Sequence, residues 1–177
     1  MNSAASLHAA IHEEVALQAY DASWPARFAA ERERLLTLLP GRFIAIEHMG
    51  STAVPGLVAK PVIDMLAGVV SMDEARALAG PLCSADYTTS TEFNDRLTDR
   101  QWFMRWADGR RTHHLHIVVH GSPAWRQHLY FRDALRASPE LAATYAALKA
   151  ELASKHPTDR EAYTDAKAAF VISASGS

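Results

Sequence analysis

Apolar positions change their period several times along the chain, and each change marks an element. From Ser23 the spacing is helical: Phe28, Leu35 and Leu39 recur at intervals of seven and four, Ser23 stands as N-cap with Pro25 just inside, and Pro40-Gly41 ends the run. At Phe43 period two takes over, with Ile44 and Ile46 alternating with Ala45 and Glu47, which predicts a strand running into His48 and stopped by Gly50. A second apolar strand follows at Val62-Ile63-Asp64-Met65-Leu66. Ser71-Met72-Asp73-Glu74 is a capping box, and Ala75, Leu78, Ala79 and Leu82 make a short helix behind it. The stretch from Asp86 to Asp99 is of mixed polarity and is barely constrained. Arg100–Trp106 and Arg111–Val119 are both strand-like, and Asp108-Gly109 between them predicts an antiparallel hairpin.

The remainder reads as helix. Ser122-Pro123 opens one that runs through Arg136, and Ser138-Pro139 opens another with Leu141, Tyr145, Leu148 and Leu152 on one face. Asp159 opens a last one carrying Tyr163 and Phe170. Trp24 reads as a staple packing the helix entry onto the core in preference to a ligand-stacking ring, and Trp102, Trp106 and Trp125 are expected to face a core. Strands first, helices last and a hairpin between them predict an α+β fold: a β-sheet packed by helices, with a helical C-terminal third. Residues 1–12, rich in Ala and Ser, are expected to be frayed, leaving 13–177 as a single domain.

Composition narrows the partners. With 177 residues, 49% of them hydrophobic but in no long unbroken run, the chain is long enough for a sizeable core and gives no sign of a membrane span. A net charge of −2 and scattered Lys and Arg argue against general nucleic-acid binding. A single cysteine, Cys83, excludes an intramolecular disulfide or a Cys-based zinc site, and the N-terminus lacks a signal-peptide pattern, so a reducing, cytoplasmic setting is expected. Nothing here specifies an oligomeric state.

Candidate chemistry concentrates between Ile44 and Val70. The loop Gly50-Ser51-Thr52-Ala53-Val54-Pro55-Gly56 contains several backbone N–H groups without an obvious partner, and such a loop can cradle phosphate. It is neither a Walker A loop nor G-x-G-x-x-G. Asp64 places a carboxylate inside an apolar strand, which is costly unless a cation or metal pairs with it. A second cluster is His113, His114 and His116, with His120 beyond. Alternation puts His114 and His116 on one strand face and His113 on the other. Two histidines at i and i+2 can share one metal, with Asp64 completing the site; the strand of Asp64 and that of His116 would then share a sheet, both side chains on one open face. For His113 and His120 a half-exposed edge-strand position is the favoured reading, and for His116 both readings stand open. Arg132 and Arg136, one helical turn apart, could clamp a phosphate, but Asp133 between them makes an internal salt-bridge network an equal alternative. Glu47 and His48 end the first strand on opposite faces, and His48 is preferred as the base or metal-orienting group.

Gly50-Ser51, twelve residues and then Asp64 between apolar neighbours resembles the signature of the nucleotidyltransferase superfamily, except that its second acidic position falls on Leu66. A closer resemblance runs almost end to end. Tyr20-Asp21 with Ser23-Trp24-Pro25, the block Glu47 to Gly56, Ala59-Lys60-Pro61-Val62-Ile63-Asp64, Leu115-His116, Phe131-Arg132-Asp133 with Leu135-Arg136, Tyr145 with Leu148-Lys149, and Tyr163 with Lys167 together resemble the GrpB family. That family consists of small bacterial proteins of nucleotidyltransferase-like fold, also found fused to dephospho-CoA kinase. The resemblance implies a mixed sheet of that kind. It also implies that Gly50 and Ser51 approach nucleotide phosphates, where Thr52 adds a further loop hydroxyl, that Lys60 offsets their charge, and that Asp64 holds a divalent cation, with His116 and His114 on the later strand where a third acidic residue would stand. A two-magnesium mechanism wants hard oxygen ligands, so Mg2+, or a transition metal such as Zn2+ or Mn2+, remains open. Two functions follow as expectations. One is metal-dependent nucleotidyl transfer from a nucleoside triphosphate to a small acceptor, with Asp64 and His48 catalytic; the other is a non-catalytic module that binds a nucleotide or other phosphorylated metabolite.

Overall fold

Period-two alternation produces strands where it is expected. In the computed structural model, which describes residues 16–157 and 170–174, helix α1 (Trp24–Leu38) is followed by strand β1 (Ala45–Met49), one 3-10 turn (Ser51–Ala53) and strand β2 (Ile63–Val69). Helices α2 (Met72–Ala77) and α3 (Ala79–Cys83), strand β3 (Tyr87–Thr88) and helix α4 (Thr91–Asp95) lead to β4 (Arg100–Ala107) and β5 (Arg110–Val119). Helices α5 (Pro123–Ala137) and α6 (Pro139–Lys155) come last, and residues 170–174 are also helical. The expected frayed segment 1–12, and Asp159 and Tyr163 of the expected last helix, lie outside the described residues.

The five strands form one mixed sheet in the order β1-β2-β5-β4-β3, with β2 and β5 parallel and every other neighbouring pair antiparallel. The fold is therefore α+β, a mixed sheet packed by helices. The hairpin turns at Asp108 (φ 53°) and Gly109 (φ 72°), both left-handed, as a two-residue turn that follows the twist of its strands requires. Its register then shifts: Trp106 pairs with Arg111 but Arg105 pairs with His113, so Thr112 is an extra residue on β5, a β-bulge.

Several expectations need correction. Ser23 occupies the N-cap position but makes no side-chain cap; Asp21 Oδ1 instead accepts from the Ser23 N–H at 2.8 Å. The first strand begins at Ala45, leaving Ile44 53% exposed although it shares parity with buried Ile46. The single helix expected after Ser71 is two, broken at Leu78; Ser71 caps the first as expected, accepting from the Glu74 N–H at 3.2 Å, while the Glu74 side chain pairs with Arg42. Ser122 and Ser138 cap as expected, accepting from the N–H groups of Trp125 and Leu141 at 3.2 Å.

Alternation divides the sheet into two faces. Ile46, Ile63, Met65, Ala67, Val69, Phe103, Leu115 and Ile117 pack with Trp24 and Leu35 of α1 and with Leu78 and Leu82 in the main core. Trp24 is fully buried, its ring edge-to-face with Tyr20 at 5.2 Å, which fits the staple. On the other face a smaller apolar cluster of Met49, Leu66, Val118, Ala124 and Trp125 seats α5 over β1 and β2. Beside it, among the described residues, this second face is left without a helix packed directly on Asp64 and His114. Among the described residues no helix is long and apolar enough to cross a membrane.

Candidate functional site

A cavity of about 440 Å³ lies on the second face. Its wall includes Gly50, Ser51 and Thr52 from the loop after β1, Lys60 and Asp64, His114 and His116 from β5, Arg100 and Trp102 from β4, and Arg111, His128, Phe93 and Lys149. Parallel pairing of β2 with β5 sets Asp64 opposite His114 and Leu66 opposite His116, so the expected common open face for Asp64 and His116 is present. The direct partner of Asp64 is nevertheless His114, whose Nδ1 lies 3.0 Å from Asp64 Oδ1.

The protonation of that pair follows from its third member. Arg111 Nη1 lies 3.0 Å from His114 Nε2, and a guanidinium only donates. Nε2 must therefore be the acceptor, and Nδ1 carries the hydrogen donated to Asp64. Burial also holds His114 below the usual histidine pKa, against the pull of Asp64, so the ring is neutral. Arg111 reaches this position because of the bulge at Thr112. With regular alternation Arg111 would share the face of His113; the extra residue turns it to the face of His114 and pairs it with Trp106.

Gly50 is fixed in place from two sides. Its φ is +71°, and a Cβ there would stand 2.7 Å from Asp64 Oδ2, so the loop backbone rests directly on the carboxylate. From the far side, Arg132 Nη1 donates to Glu47 Oε2 at 2.9 Å and to the His48 carbonyl at 3.0 Å, while Arg136 Nε donates to the Ala53 carbonyl at 2.8 Å. Arg132 also bonds Asp133, so the salt-bridge reading holds and the two arginines brace the loop.

His48 does not join the cavity wall. Its strand partner is Met65, whereas Met49 pairs with Asp64, and its ring lies stacked on Phe28 of α1 at 4.8 Å. There it bonds the Thr52 hydroxyl at 2.9 Å, and burial lowers its pKa to about 4. The preference for His48 over Glu47 as the site-facing residue is thus corrected. Thr52 lines the cavity with its hydroxyl already engaged. His113, expected half-exposed, is 5% exposed because β5 is a central strand; its pKa too falls to about 4 by burial. His120 is exposed, against the Trp125 ring.

His116 lies 5.9 Å from His128 between ring centroids, with a buried Nδ1 that has no hydrogen-bond partner and a pKa pushed to about 3 by burial first and by His128 second. Sequence reasoning missed His128, Arg111, Arg100, Phe93, Lys149 and Trp102. Trp102 was expected in the core, but it pairs with His116 and lies 5.6 Å from the His114 ring. A regular hairpin counted from Asp108-Gly109 would pair Trp102 with Leu115, so the bulge reverses its face as well. The composition around His114 carried one signal, Arg111 three residues away.

The donor set fits a two-metal centre poorly. Among the described residues Asp64 is the one carboxylate on the wall, Leu66 at the second acidic position is fully buried, and both nitrogens of His114 are engaged. Among the described residues no group of three or more His, Cys, Asp or Glu is placed to hold a metal ion.

A family model described as GrpB protein matches residues 14–176. The UPF0157 protein YqkA of Bacillus subtilis is 37% identical over 155 residues, covering 88% of this chain and 44% of the relative. A dephospho-CoA kinase of Mycolicibacterium paratuberculosis is 33% identical over 169 residues, covering 83% of this chain and 42% of its own length. The chain thus spans less than half the length of these two curated relatives, and the kinase is a case of the fusion. The crystal structure of the conserved protein GrpB from Enterococcus faecalis superposes with a TM-score of 0.80 at 33% identity, covering 90% of this chain and 94% of that one. With a family match over nearly its full length and a solved relative of the same fold, the chain belongs to the GrpB family.

Proposed function

We propose that the cavity binds a phosphorylated small molecule, with nucleotides the first class to test. The observation that carries this reading is the charge of the wall. Lys60, Arg100, Arg111 and Lys149 stand there against the carboxylate of Asp64, in a chain whose net charge is −2. The three cavity histidines have pKa values depressed by burial and add no charge at neutral pH. Arg100 is partly balanced by Asp99 at 3.8 Å and Lys149 donates to the Val58 carbonyl; Lys60 and Arg111, both within electrostatic reach of His114, are the cations we assign to the phosphate. Each charge-assisted hydrogen bond to a phosphate contributes about 1.5–3 kcal/mol. Gly50 lets the loop backbone approach closely, and Phe93 and Trp102 offer aromatic surface to a base.

Calorimetric titration with nucleoside triphosphates and with the matching nucleosides tests the reading. Lys60→Ala is expected to weaken triphosphate binding by about 1–3 kcal/mol and to leave the nucleoside unchanged. Equal losses for both ligands would mean that Lys60 acts through the fold, and no binding of any phosphorylated ligand would overturn the reading.

Nucleotidyl transfer is the second reading. What favours it is Asp64 lying directly against Gly50, the juxtaposition of loop and first acidic residue that the superfamily signature implies. In that case a divalent ion would have Asp64 as its protein ligand and would take the rest from phosphate oxygens. Release of pyrophosphate in the presence of Mg2+ or Mn2+ distinguishes it from binding alone.

A further inference from the structure

A divalent ion carrying a nucleotide's phosphates needs several oxygen ligands or free lone pairs facing it. Around Asp64 and His114 part of that set is already engaged. Oδ1 accepts from His114 Nδ1 at 3.0 Å, and His114 Nε2 accepts from Arg111 Nη1 at 3.0 Å, so neither ring nitrogen is available to a metal. Leu66, on the same face two residues later, is fully buried among Met49, Val118 and Trp125. What the wall does supply is fixed positive charge. Arg111 is held at one end by a neutral imidazole that is itself held by Asp64, and the bulge at Thr112 commits its side chain to this face.

We propose that the site takes its phosphorylated ligand as the metal-free anion, with the guanidinium of Arg111, fixed through His114 to Asp64, offsetting the phosphate charge that a metal ion would otherwise carry. This rests on the first reading above and goes beyond it, because a phosphate site can take either the free anion or its metal complex. It also assigns His114 as a positioning residue: its neutral tautomer relays between a cation and an anion and ligates nothing.

The test compares ATP binding to the wild-type protein in EDTA and in excess Mg2+. Binding at least as tight in EDTA is expected, since Mg2+ withdraws the free anion. Binding that needs Mg2+ overturns the metal-free proposal and leaves the phosphate reading standing; no binding in either buffer overturns both. Arg111→Met keeps the aliphatic stem and is expected to lose about tenfold or more in ATP affinity in EDTA, the loss of one charge-assisted contact. It also releases the lone pair of His114 Nε2. Zn2+ should therefore raise the Tm of Arg111→Met more than that of the wild type, and the added shift should vanish in the Arg111→Met/His114→Gln double variant. A wild-type Zn2+ shift as large as the variant's, itself removed by His114→Gln, would show that the lone pair was never engaged and would overturn the proposal. The wild-type EDTA comparison decides the question even if Arg111→Met does not fold.

Discussion

The two faces of the sheet carry the same chemical ingredients arranged to opposite ends. On the α1 face, Glu31 is 3% exposed, and its oxygens accept from Arg34 at 2.9 Å, the Tyr87 hydroxyl at 2.8 Å and Arg105 at 3.0 Å. On the other face, Asp64 lines the cavity with its side chain 31% exposed and accepts from a histidine that an arginine holds. Arg105 and Arg111 even come from the same hairpin. A carboxylate whose partners close over it ties elements together. One that keeps part of its side chain exposed presents a surface to a ligand. Charge and residue type do not separate the two cases; the exposure each carboxylate keeps does.

Acid should break the comparison most severely, because it attacks both faces together. His48 and His113 on the core face have pKa values lowered to about 4, and His116 on the cavity face to about 3, burial being the first cause in each. Each is neutral when folded, whereas the unfolded chain takes up a proton below about pH 6.5. Stability is therefore fully present above about 6.5 and is lost as pH falls toward 4 and then 3, with a slope near 1.4 kcal/mol per pH unit for each histidine. Urea midpoints measured between pH 7.5 and 4 should fall monotonically, and a flat profile would contradict neutral burial.

Glu31→Gln sharpens the contrast. It leaves Arg105 and Arg34 facing a neutral group in a closed setting, and a loss of about 3–5 kcal/mol in urea denaturation is expected. Gly50→Ala comes next, at about 1–3 kcal/mol. It combines a left-handed backbone with a Cβ 2.7 Å from Asp64 Oδ2, and calorimetry should show weakened phosphate binding beyond what the stability loss explains. Asp64→Asn should have the smallest effect on stability, within about 1 kcal/mol, since the amide oxygen can still accept from His114 and the group is part-exposed. If Asp64→Asn costs as much as Glu31→Gln, Asp64 belongs to the fold and the distinction between the faces fails.

Much of this was legible in the chain. Asp108-Gly109 marked the hairpin, Ser122 and Ser138 marked two helix starts, and alternation brought Asp64, His114 and His116 to one face. What escaped depended on a single inserted residue. The bulge at Thr112 moves Trp102 and Arg111 onto the cavity face, and nothing in the polarity of Arg110 to Thr112 distinguishes a bulge from regular pairing. Glu31 lies in a run of charges that reads as a solvated helix face, and its partner strand, β3, is two residues long, too short for any period to register. His48 was misassigned because strand ends near loops often turn polar side chains toward a site, whereas here the stacking partner Phe28 lies on the core side.

The parallel pairing of β2 with β5 has a consequence in time as well as in space. The β4-β5 hairpin closes over two residues, but Asp64 and His114 are 50 positions apart, and the chain between them carries helices, β3 and β4, so pairing β2 with β5 closes a much longer loop. Closing that long loop is among the slower steps open to this topology. A nascent or partly unfolded molecule can hold a complete hairpin and a complete glycine loop and still have no site. Ligand binding then reports on a long-range pairing, so a ligand that fits the cavity is expected to slow unfolding by holding that pairing together.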